Sequence, residues 1–177
     1  MSAFAVQAQK AADFSGKWTI DVAKSKLDER ARIESMTMTV AQTAKDLKVE
    51  TSTKRTAPPA GAPTGAPGTG SGPGGGRGMG GGFGSGDSTV IYSLEGKETI
   101  VEIEGPNGKT PVKYKASVDG SKAALSSSRT MTGQMGEVTI TTKEAWSLSA
   151  DGKTLTVNRE QTTPRGTNSS TLMFSKN

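Results

Sequence analysis

From Phe14 almost to the C-terminus, apolar and polar residues alternate in short runs separated by glycine and other turn residues. A period of two puts successive side chains on opposite faces of an extended chain, so the pattern predicts β-strands. Ten runs carry it: 14–21, 34–42, 46–54, 88–94, 98–104, 111–118, 122–131, 136–148, 153–162 and 169–176. One stretch departs from the pattern. Val22–Arg32 is rich in helix formers and predicts about two helical turns.

Turn residues set the register of neighbouring runs. The Asp151-Gly152 loop predicts a two-residue type I′ hairpin with both residues at positive φ, which places Leu148 opposite Leu155, Trp146 opposite Val157 and Glu144 opposite Arg159. The Glu95-Gly96 loop predicts a second hairpin, with Tyr92 opposite Thr99 and Val90 opposite Val101. Around Lys45, Met38, Val40, Leu47 and Val49 fall on one face. A slip of one residue would turn each apolar set outward, so agreement between hairpins supports the register. Phe14, Trp18, Leu125, Leu172 and Phe174 join that face, as do Val101 and Ile103. Sequential hairpins with one dry face predict an all-β protein, a single antiparallel up-and-down β-barrel of eight to ten strands with a short helical segment after the first strand. Closure removes the exposed edges that an open sheet would leave.

Composition then divides the chain. Hydrophobic residues make up 32% of 177, but 14 Gly and 5 Pro fall between Thr56 and Ser88. Residues 56–88 are too poor in apolar side chains to offset chain entropy, so a disordered Gly/Pro-rich loop is expected to interrupt a barrel spanning 13–177. Residues 1–12 read as a signal-peptide remnant or disordered tail. Val6 and Ala8 occupy the small-residue positions before a cleavage site, which predicts an exported protein, periplasmic or extracellular, of a bacterial envelope. No 18-residue apolar run is present, so no transmembrane helix is expected.

With no His and no Cys, the chain has no Ser-His-Asp or Cys-His nucleophile pair, no thiolate or imidazole metal site and no disulfide. No cofactor or metal is expected. The formal charge of +5 is spread along the chain, and the Gly-rich run around Arg77 and Phe83 holds one Arg and one aromatic ring, so no nucleic acid partner is expected. Gly108-Lys109-Thr110 has the end of a phosphate loop without its first glycine, and it sits in a hairpin.

Charge on the inward face is more informative. Arg129, Glu144, Arg159 and Gln161 share the side of Trp146 and Leu155. Buried charges must pair, reach a mouth or meet a ligand. Two arginines against one glutamate suit an anionic group held bidentately, or form a structural Arg–Glu–Arg network. Tyr92, Tyr114, Trp146 and Met38 could line an apolar pocket or simply fill the core.

Phe14-Ser-Gly16-Lys-Trp18 resembles the G-x-W signature of the calycins, the lipocalin and fatty-acid-binding-protein group, in which the Trp plugs one barrel end. The resemblance implies a ligand-binding barrel and makes Arg159 a counterpart of the arginine that packs on that Trp. The fatty-acid binders' Arg-x-Tyr pair is absent, since Leu172-Met173-Phe174 stands there. The leading expectation is therefore an exported barrel binding a small apolar or amphipathic anion through Arg129, Glu144, Arg159, Gln161, Tyr92, Tyr114, Trp146 and Met38. A His-free enzyme using Glu144 with Arg129 and Arg159 is one alternative. A surface or assembly protein acting through the Gly-rich loop is another.

Overall fold

The structure, a computed structural model, describes residues 12–27, 31–56, 87–105, 108–133 and 136–177. Ten strands follow in chain order: β1 (Gly16–Ile20), β2 (Ile33–Gln42), β3 (Asp46–Arg55), β4 (Ser88–Ser93), β5 (Thr99–Gly105), β6 (Gly108–Asp119), β7 (Lys122–Gly133), β8 (Gly136–Leu148), β9 (Thr154–Thr163) and β10 (Gly166–Lys176). They form one antiparallel sheet in the order β4-β3-β2-β1-β10-β9-β8-β7-β6-β5. Every neighbour in that order is adjacent in sequence except β1 and β10, whose pairing of Ile20 with Phe174 wraps the sheet into a nearly closed barrel. The predicted tail, 1–12, and loop, 56–88, lie almost wholly outside the described residues. Those that are described bound the barrel: Thr56 N–H donates to Arg32 O, and Ser88 opens β4 opposite Thr51.

The expected helical segment is not formed by the described part of Val22–Arg32. Asp21 N–H donates to Met173 O, Ser25 Oγ accepts from Met173 N–H, and Lys26 forms a bridge with Thr171. β1 ends at Ile20 while β10 starts at Gly166, so the inner edge of β10 would otherwise lack partners. Residues 21–26 supply them, and that pairing outweighs local helix propensity.

At the β8–β9 turn the register is as the sequence predicts, with Leu148 opposite Leu155 and Glu144 opposite Arg159. The turn type is not. Only Gly152 takes positive φ, at 68°, and its N–H closes a turn on Ser149 O. Asp151 Oδ1 accepts from Ser149 Oγ and Lys153 N–H, which holds it out of the left-handed region. A Cβ at Gly152 would meet nothing within 4 Å, so Gly152→Ala should cost only the backbone term, about 1 kcal/mol in urea denaturation. An unchanged midpoint would show that the turn relaxes.

The predicted β4–β5 hairpin does not pair. These two strands are the ends of the sheet. Tyr92 lies opposite Leu47 of β3, and across the gap its ring meets that of Tyr114 on β6 edge-to-face, with centroids 5.5 Å apart. β5 is paired on one side alone, so Val101 and Ile103, expected in the core, are 41% and 40% exposed, while the outward Ile100 is 58% exposed.

The opposite barrel end is packed. Phe14, Trp18, Trp146, Leu155 and Phe174 are fully or almost fully buried, and the rings of Phe14 and Trp146 meet edge-on at 6.0 Å. Gln42 ties the entering chain down by accepting from Phe14 N–H and donating to Ala12 O, while Trp18 Nε1 donates to Phe14 O. Lys176, not Arg159, covers the Trp18 ring, its ammonium 5.3 Å from the centroid. This explains Gly16: it has φ of 140°, and a Cβ there would come within 2.6 Å of Lys176 Cε.

Candidate ligand site

Strand register arranges the inward side chains of β5–β10 in rows around the wall. Above the paired Leu148, Leu155 and Phe174 lies an apolar row, Val118, Ala123, Trp146, Val157 and Leu172, each opposite the next. One step higher come Ala116, Leu125, Glu144, Arg159 and Ser170. The third row is entirely hydrogen-bonding: Thr99, Tyr114, Ser127, Thr142, Gln161 and Asn168. Above it stand Val101, Val112, Arg129 and Ile140. Half-buried Met131 and Val138, paired with each other, and exposed Ile103 lie towards the rim.

Glu144 is 6% exposed. Its Oε2 accepts from Trp146 Nε1 at 3.0 Å, and its Oε1 lies 3.8 Å from Arg159 Nε, an ion pair too long for a hydrogen bond. Burial pushes the Glu144 carboxyl above its ordinary value, against the opposing pulls of Arg159 and the Trp146 hydrogen bond. Burial likewise lowers Arg159, and Glu144 opposes it. Each partner is therefore biased towards its neutral form and restored by the other. The Tyr92 hydroxyl is pushed upward, first by burial and then by the Glu144 charge.

The Arg–Glu–Arg network anticipated from sequence does not form. Arg129 sits two rows above Glu144, opposite Val112 and Ile140. Its Nε and Nη2 are buried and have no hydrogen-bond partner among the described residues. Burial lowers its pKa, with Tyr114 opposing, and burial raises Tyr114 with Arg129 opposing. The structure thus makes two groups from the sequence-predicted site: Glu144, Arg159, Trp146 and Tyr92 below, Arg129 and Tyr114 above, with Gln161 in the row between. Met38 lies in the fully buried core, paired with Trp18 and Thr51.

Sequence reasoning missed the neutral members. Ser127, Thr142 and Thr51 are buried, and Thr53 Oγ1 is buried without a hydrogen-bond partner among the described residues. The signal was available, because Ser127 and Thr142 share the parity of Leu125, Glu144 and Trp146 on their strands.

Between Glu144 and the β3–β4 wall the interior is tightly filled. The void bounded by Val49, Thr51, Ser88, Val90, Tyr92, Glu144 and Trp146 is about 10 Å³, room for one water at most. A concavity of about 730 Å³ is lined along β6–β10 by the inward Ala116, Leu125, Glu144, Arg159 and Ser170 together with outward neighbours such as Lys115, Lys143 and Asn158. Among the described residues no group of three or more Asp or Glu could hold a metal ion, and no helix is long and apolar enough to cross a membrane.

Fold and site together define an up-and-down ten-stranded antiparallel barrel, nearly closed, with one end plugged and charge placed inside. No family model matches the sequence, and no curated protein does. Among solved structures, the chain is similar to zebrafish ileal bile acid-binding protein, whose crystal structure is a complex with cholic acid. The two share 15% identity with a TM-score of 0.49, over 93% of this chain and 98% of that one.

Proposed function

We propose that this chain is an exported binding protein of the calycin kind that takes a small amphipathic anion into the barrel from the Arg129 end. One observation carries the reading: a guanidinium with two buried nitrogens lacking partners among the described residues, set inside the wall beside Val101 and beneath a rim of Ile103, Met131 and Val138. An unpaired buried cation is costly, and an anion that fills those positions offsets the cost. The apolar rim suits the ligand's hydrocarbon part. Export rests on Val6 and Ala8 in the sequence.

Catalysis through Glu144 is the weaker reading, since that carboxylate is buried and held by Trp146. Calorimetric titration with dodecanoate tests the proposal. The wild-type barrel should bind it, and Arg129→Met should weaken binding roughly tenfold to a hundredfold while keeping the thermal midpoint. Equal affinity in the two proteins would overturn the role of Arg129.

A further inference from the structure

The concavity of about 730 Å³ is lined by both members of the buried ion pair, Glu144 and Arg159, with Ala116, Leu125 and Ser170 in the same row. Its volume is that of a small-molecule site. The two charges are not equally reachable, because the Arg159 side chain is 16% exposed and that of Glu144 only 6%. Arg159 Nε stands 3.8 Å from Glu144 Oε1, longer than a charge-assisted hydrogen bond. A carboxylate entering the concavity therefore meets Arg159 first and competes with Glu144 for it. Arg129, two rows above Glu144, is not among the lining residues.

Such a competitor changes the charge that Glu144 can keep. Around that carboxylate β9 presents Arg159, β7 Leu125, β4 Tyr92 and β3 Val49 and Thr51. Arg159 is the cation that pulls on it, and Arg55 is the other cation felt by Arg159. The Tyr92 hydroxyl is pushed upward and keeps its proton. When a second anion neutralises Arg159, that pull weakens, while burial still pushes the Glu144 carboxyl upward. We infer that the concavity is a second anion site, separate from Arg129, which holds a compact carboxylate at Arg159 and takes up a proton on Glu144 as it does so. The proton comes from solvent and settles on Oε1, since Oε2 accepts from Trp146 Nε1. Among the described residues that line the site, Leu125 is the one apolar side chain larger than alanine, so a hydrocarbon tail finds little surface there and the ligand's body is polar.

The test titrates glucuronate into the full chain by calorimetry, between about pH 5.5 and about pH 8, in two buffers of different ionisation enthalpy. The glucuronate carboxyl stays ionised over that range, so the protons counted belong to the protein. Binding should take up as much as about one proton, and affinity should tighten by up to about tenfold for each pH unit of acidification. In Glu144→Gln both effects should vanish, leaving an affinity independent of pH. The Trp146 Nε1 resonance, which reports on Glu144 Oε2, should shift on binding to the wild type. Binding without proton uptake, uptake that persists in Glu144→Gln, or no binding at any pH in the range would each overturn the inference. If the variant does not fold, the wild type still decides, because uptake with an unmoved Trp146 signal contradicts Glu144 as the acceptor. None of these outcomes bears on Arg129.

Discussion

Arg159→Met should cost the barrel about 3–5 kcal/mol at neutral pH, because it strands the Glu144 carboxylate without its counter-charge. Urea denaturation measures the loss. Pairing the change with Glu144→Gln should return stability to within about 1 kcal/mol of wild type, since the double variant buries no charge at this point. Gln can still accept from Trp146 Nε1, so the indole keeps its partner.

The pH dependence has a definite sign. The Glu144 pKa is raised in the folded state, so its favourable contribution is fully present below the unfolded carboxyl value and is lost as pH rises through the folded value. Without Arg159, one of the two influences holding that pKa down is gone. The window of loss therefore moves to higher pH in Arg159→Met, and mild acidification should restore part of its stability. A single-variant penalty that is independent of pH, or one that persists in the double variant, would contradict the coupling.

Trp18→Ala should be comparably damaging, about 3–5 kcal/mol in the same measurement. Trp18 is fully buried, donates to Phe14 O and lies under Lys176, so its loss leaves a cavity at the plugged end and releases the chain entering β1. Lys176→Ala should cost less than about 1 kcal/mol, because its ammonium is a cover on an exposed residue and not a core element. If the two substitutions cost the same, the plug is held by the cover and not by the indole.

Strand positions were legible because one wet face imposes a strict period of two. The β8 bounds, 136–148, agree with the sequence reading to the residue, and the Glu144–Arg159 register follows from a single glycine turn. Long-range competition for backbone groups was not legible. Nothing local to Ala23-Lys24-Ser25-Lys26 announces that the edge of β10 will claim it. Nor does Glu95-Gly96 reveal that Tyr92 will leave Thr99 to pack on Tyr114, because that contact depends on where the ten-stranded sheet runs out. Parity placed Arg129 and Arg159 inside correctly. It could not say that two rows separate Arg129 from Glu144, which is why a joint network was expected and a lone guanidinium was found.

Whether ligand enters the barrel is most directly read from nitrogen resonances during titration with dodecanoate. The arginine side-chain signal of Arg129 Nε, buried and without a partner among the described residues, should shift strongly. The backbone amides of Ser127, Thr142 and Gln161 should move with it. Shifts confined to Ala124, Ala145 and Asn158 would place the ligand in the concavity that they help line, and an unmoved Arg129 signal at saturation would contradict an anion site at Arg129.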